Sequence, residues 1–157
     1  MNYTDLLIEA DANNLITKEK PLRANKGRIK GNRIAIKHDM LETEKKCVLA
    51  EELGHHYTTV GNIMDQTITE DRKQERRARI WAYTKMIPLA DLIRSHEDGC
   101  QNSYEIADHL EVTEEFLVEC LNYYKEKYGL CTRYENYVIY FEPLLVLKLY
   151  KQTTKKE

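Results

Sequence analysis

"AEELGHH", residues 50–56, lies one substitution away from a helical zinc-binding pattern. In a helical His-Glu-x-x-His, two histidines one turn apart grip the ion and the glutamate between them serves as a base. Here the first histidine position holds Glu51, so the stretch reads Glu51-Glu52-Leu53-Gly54-His55. Residues four apart differ by only about 40° around a helix axis, so Glu51 and His55 share a face, with Glu52 about 100° away on its flank. Gly54, beside His55, lets another segment approach closely. The surrounding residues, 42 to 58, have no proline and place Cys47, Ala50, Leu53 and Gly54 at helical intervals, with a stop expected near Gly61.

A catalytic zinc needs a third protein ligand and one open position. The next helical pattern runs from about Thr69 to Met86 and ends before Pro88, with Glu75, Ala78, Trp81, Ala82 and Met86 along one face. Whatever buries that face against the first helix also aims Glu75 inward, which makes it the candidate third ligand. The spacing leaves a second reading open. A glutamate four residues before a histidine is also an ordinary helix-surface pair, and Glu75 has Arg72, Arg76 and Arg79 around it as salt-bridge partners. His38, His96 and His109 are isolated and read as ordinary histidines.

Working outward, "GRIKGNRIAI" at 27–36 places Gly31-Asn32 between isoleucine-bearing runs and predicts a β-hairpin with its isoleucines inward. Thr4 is the expected cap of a short first helix that stops at Asn13-Asn14. Ser103 and Thr113 are expected to cap two more, a short one at 104–110 and a longer one at 114–128 closed by Gly129. "YVIYF" at 137–141 reads as a strand ended by Pro143, and "KQTTKKE" at 151–157 as a loose tail.

The totals exclude several classes. A chain of 157 residues is one ordinary domain in size. Its 24 basic and 26 acidic side chains leave −2, which gives no global field for nucleic acid or an anionic membrane. Residues 103–130 have helix-turn-helix rhythm, but seven acids against two lysines leave them at −5, a charge that phosphates repel. There is no long apolar run and no signal-peptide pattern, so the expected location is the cytoplasm. Four dispersed cysteines, Cys47, Cys100, Cys120 and Cys131, are expected to be reduced thiols. The eleven tyrosines suggest a core edged with amphipathic rings.

Three stretches together, "GRIKGNRIAI" (27–36), "CVLAEELGHHYTTVG" (47–61) and "QERRARIWAYTKMIPL" (74–89), resemble the ImmA/IrrE family of zinc metallopeptidases, in particular its short members from phages and mobile elements. The third matches that family's Glu-x-x-Ala-x-x-aromatic-Ala helix. The resemblance implies an α+β, zincin-like fold: a metallopeptidase core over 1–95 with a small β-sheet packed on the motif helix. A helix-turn-helix-like helical pair and a C-terminal strand over 96–157 would pack on that core as one compact unit. It implies His55 as the second histidine ligand, Glu75 as the downstream carboxylate ligand and Glu52 as the general base. Glu51 stands where the first histidine usually does, and short phage members carry the same Glu-Glu-Leu-Gly-His. His56 and Tyr57, just beyond, are candidates for supporting hydrogen bonds near the oxyanion or for a structural role.

The implied activity is metal-dependent cleavage of a transcriptional repressor encoded nearby, with no membrane and no direct nucleic-acid partner. Two carboxylates and one neutral imidazole cancel a divalent charge, whereas two histidines and one carboxylate leave +1. Weaker hydrolysis, or tolerance of manganese in place of zinc, is therefore expected. The alternatives are a zincin fold that relieves the repressor by binding alone, and a DNA-binding helix-turn-helix regulator.

Overall fold

The computed structural model describes residues 1–59 and 68–151; Gly61, the expected helix stop, and residues 152–157 of the expected tail lie outside the described residues. Helix α1 (Tyr3–Ala12) starts two residues earlier than Thr4 would allow as a cap. Asn2 takes that role, accepting from the Asp5 amide at 2.9 Å while its own amide donates to the Asp5 carboxylate at 2.7 Å. Such a reciprocal box satisfies two orphan helix donors where a lone threonine satisfies one. The helix ends at Asn13, and Asn14 follows with φ of 60°.

Strands β1 (Ile16–Lys20), β2 (Gly27–Lys30) and β3 (Arg33–Lys37) form a sheet of order β1-β3-β2. The hairpin expected at 27–36 is β2 against β3, antiparallel from Gly27 opposite Ile36 to Lys30 opposite Arg33. It turns at Gly31, whose φ of 59° suits a residue without Cβ. Ile34 and Ile36 are buried and Ile29 is half-buried. No local pattern marks β1. "ITKEK" has one apolar residue, and its conformation comes from its parallel ladder with β3, Ile16 opposite Arg33 to Lys20 opposite Lys37.

Helix α2 (Glu42–Thr58) crosses this sheet and buries Lys46, Cys47, Leu49, Ala50, Leu53 and Gly54. Helix α3 (Ile68–Met86) packs on α2, and after Pro88 the chain enters α4 (Leu89–Glu97). Helix α4 is not among the elements expected from the sequence, although Leu89, Leu92 and Ile93 recur at helical spacing and Pro88 stands at its N-cap. Helices α5 (Ser103–His109) and α6 (Glu114–Tyr128) follow. Asn102, not Ser103, caps α5, while Thr113 caps α6 as expected.

Strands β4 (Cys131–Tyr134), β5 (Tyr137–Phe141) and β6 (Leu144–Lys148) close the described chain as an antiparallel sheet. The strand expected at 137–141 is therefore its middle member, paired on both sides. The architecture is α+β.

Helix α6 lies against α3. The Tyr83 hydroxyl donates to Glu119 at 2.8 Å, the Tyr124 hydroxyl donates to the Ile87 carbonyl at 2.7 Å, and Phe116 meets Tyr83 edge-on. From α2, the buried Lys46 ammonium donates to the Leu110 carbonyl at 2.8 Å, just past α5. One hydrophobic cluster runs from Tyr3 through Leu49, Leu53, Ile87 and Leu117 to Val146. The cysteines are free thiols. No helix among the described residues is long and apolar enough to cross a membrane.

Candidate functional site

Two glycines bring the walls of the site together. A Cβ on Gly54 would lie 2.2 Å from the Ala78 carbonyl oxygen, so α2 and α3 touch backbone to backbone at that level. A Cβ on Gly27 would lie 2.5 Å from Val48 Cγ1 and 2.9 Å from Glu52 Oε1, so strand β2 rests directly on the motif helix. Only residues without side chains permit either approach. Around them is a cleft of about 640 Å³. Its walls are β2 with the residues before it, the face of α2 that carries Glu51, Glu52 and His55, Glu75 and Arg79 of α3, and the α6 segment with Phe116, Glu115 and Glu119.

The Gly54–Ala78 contact sets His55 beside Glu75. Nε2 of His55 is 3.1 Å from Oε2 of Glu75, and Oε1 of the same carboxylate is 3.4 Å from Nε of Arg79. Glu75 is less buried than its place on the apolar stripe suggested: its side chain is 45% exposed, on the cleft wall and open to water. Bonds of about 2.0–2.2 Å to one tetrahedral ion would place two ligand atoms slightly over 3 Å apart, so the His55–Glu75 spacing suits two neighbouring ligands.

Glu51 and Glu52 lie deeper. Burial pushes the Glu51 carboxyl up to about 7; Arg79 pulls against this, and Glu119, Glu75 and Glu115 add to it. Burial also raises Glu52 to about 7, reinforced by Glu51 and Glu75 and opposed by a hydrogen bond from the Ile29 backbone. A cleft that gathers several carboxyls and half-buries two of them, Glu51 and Glu52, favours a cation able to neutralise them. The donor chemistry of Glu51, His55 and Glu75 thus fits a divalent metal. In this conformation, however, no three His, Cys, Asp or Glu side chains among the described residues come together as a ligand group. His55 and Glu75 are joined directly, and Glu51 remains one turn back on α2.

His56 and Tyr57 are placed elsewhere. Tyr57 stacks on Trp81 with ring centroids 4.9 Å apart and interacts with Asn13 at the end of α1. His56 is exposed and meets Tyr57 edge-on. Neither lines the cleft. Of the other histidines, His109 faces Asp98 at 3.1 Å and His38 faces the Lys20 carbonyl at 3.3 Å.

No sequence signal marks the α6 wall. Glu115, Phe116 and Glu119 lie at least 60 residues beyond His55, and only the packing of α6 on α3 brings them to it. Gly27 is legible as a strand end and not as the contact that lets β2 reach Glu52.

Residues 9–122, well over half of the chain, match the family model of the IrrE N-terminal-like domain. The cleft-lining residues, 25 to 119, all fall inside that match. No curated protein matches the chain.

Proposed function

Because the chain belongs to the IrrE N-terminal-like peptidase family, we propose that it is a metal-dependent endopeptidase of the cytoplasm that relieves a transcriptional repressor encoded nearby by cutting it at one site. The observation that carries this reading is the His55–Glu75 contact at 3.1 Å, made between two helices on the wall of a cleft that half-buries Glu51 and Glu52. Glu51, His55 and Glu75 would hold the ion, zinc by family and manganese by the hardness of two carboxylates. When bound, the cation would acidify water and polarise the scissile carbonyl.

The chain's own residues supply the remainder. Glu52 takes the proton of the attacking water and passes it to the leaving amine. A carboxyl held near 7 is matched to that exchange at neutral pH, and the Ile29 backbone hydrogen bond orients it. Strand β2 is an outer strand of its sheet beside this base, so an extended peptide can lie along it. Specificity then comes from protein docking across an open cleft.

Co-expression with the neighbouring repressor is expected to yield a chelator-sensitive cleavage product, and Glu52→Gln is expected to reduce its rate by about 10²–10⁴-fold. A second reading is relief by binding alone, and the open cleft between β2, α2 and α6 suits such docking equally. If Glu52→Gln still inactivates the repressor and no product forms, binding is the mechanism. A DNA-binding role has less support: α5 and α6 are acidic, and α6 presents Glu119 and Glu126 to Tyr83 and Arg76 of α3.

A further inference from the structure

An arginine four residues after a glutamate on a helix is ordinarily a surface pair of little consequence. Two observations separate Arg79 from that case. The Glu75 carboxylate is divided, one oxygen facing His55 and the other facing Arg79. In addition, a second groove of about 650 Å³, between α3 and α6, shares Glu75, Arg79 and Glu119 with the cleft as a common wall. A chain passing from cleft to groove runs past the guanidinium.

On the peptidase reading above, we propose that Arg79 returns to the site the positive charge that Glu51 takes from it, and donates hydrogen bonds to the scissile carbonyl oxygen as that oxygen becomes an anion. With Glu51, Glu75 and a neutral His55, the ligand set cancels a divalent charge completely. A developing oxyanion then meets little net field from ion and ligands together, and a fixed cation beside them supplies what is missing. Arginine suits the task because its guanidinium stays charged and offers several donors in one plane.

In the step itself, the oxygen of water adds to the carbonyl carbon while its proton goes to Glu52, and the carbonyl electron pair moves onto oxygen. Arg79 donates hydrogen bonds to that oxygen and keeps its protons. On collapse the C–N bond breaks, and Glu52 returns the proton to the leaving nitrogen.

The test uses the full chain with zinc chloride and an internally quenched peptide mixture of random sequence, in wild type, Arg79→Gln and Arg79→Lys. Arg79→Gln is expected to lower kcat by about 100-fold with KM little changed, the size of effect seen when one oxyanion donor is removed. It is also expected to bind zinc several-fold more tightly, because a cation that competes for Glu75 and Glu51 is gone. Arg79→Lys, which keeps the charge and loses the planar fork, is expected to recover part of kcat.

A kcat within about threefold of wild type in Arg79→Gln overturns the proposal, as does zinc binding that is unchanged or weaker. A merely structural residue would lower zinc affinity and thermal midpoint together. If the wild type cleaves none of these peptides, co-expression with the repressor decides the peptidase reading separately, and zinc affinity still decides whether Arg79 presses on the ligand carboxylates.

Discussion

Helix α3 makes two contacts of opposite kinds. Toward α2 it presents backbone: the Ala78 carbonyl sits where a Gly54 side chain would be, and the two helices have no side chain between them at that level. Toward α6 it presents long polar and aromatic side chains, with Tyr83 on Glu119, Arg76 on Glu126 and Phe116 edge-on to Tyr83. The first contact fixes the backbone spacing from which the His55 and Glu75 side chains reach each other, because backbone cannot change rotamer. The second holds a cleft wall through groups that can. On the proposed peptidase reading, a site holding one metal and accepting many peptide side chains would be well served by a rigid contact on one side and an adjustable one on the other.

The largest effect is expected at the rigid contact. Gly54→Ala places a methyl group 2.2 Å from a carbonyl oxygen, so the helices must separate. The cost is expected to be about 1–3 kcal/mol or more, as for overpacking generally. His55 moves away from Glu75, and metal binding and cleavage should both be lost. A urea titration and a zinc titration check this together; a variant of wild-type stability that still binds zinc would mean the contact is softer than its geometry.

Tyr83→Phe should come next. It removes one hydrogen bond to a half-buried carboxylate, for a loss of about 1–2 kcal/mol. If the α6 wall is adjustable, zinc affinity stays while KM for long peptides rises. A fall in zinc affinity instead would join the two contacts into one. Arg76→Ala should do least. Its pair with Glu126 is about 60% exposed on both sides, so the loss is expected to stay within about 0.5 kcal/mol by thermal melting.

The two contacts are unequally legible in the sequence. Ala50, Leu53, Gly54, Ala78 and Ala82 recur at helical spacing, so the α2–α3 pair, with His55 and Glu75 on its facing sides, can be read from local periodicity. A small residue beside His55 announces the close approach. The contact with α6 carries no such signal, because Tyr83, Glu119 and Glu126 are chemically ordinary until α6 is placed against α3. Strand β1 is hidden for a related reason. Four of its five residues are exposed and its order is lent by β3, whereas β3 has Ile34 and Ile36 alternating inward. The caps differ by one or two residues because Asn2 and Asn102 are better placed than Thr4 or Ser103 to hold the first free amides.

By itself the sequence determined which helix carries Glu51, Glu52 and His55, which helix answers with Glu75, and that α2 and α3 cross closely, because helical periodicity and the placing of a glycine are local properties of the chain. Only the tertiary structure decided that Glu75 would be shared between His55 and Arg79, that Tyr57 would turn to Trp81 and away from the cleft, and that α6 would supply a wall. Those outcomes depend on which surfaces bury each other over separations of tens of residues, and no short-range pattern encodes them.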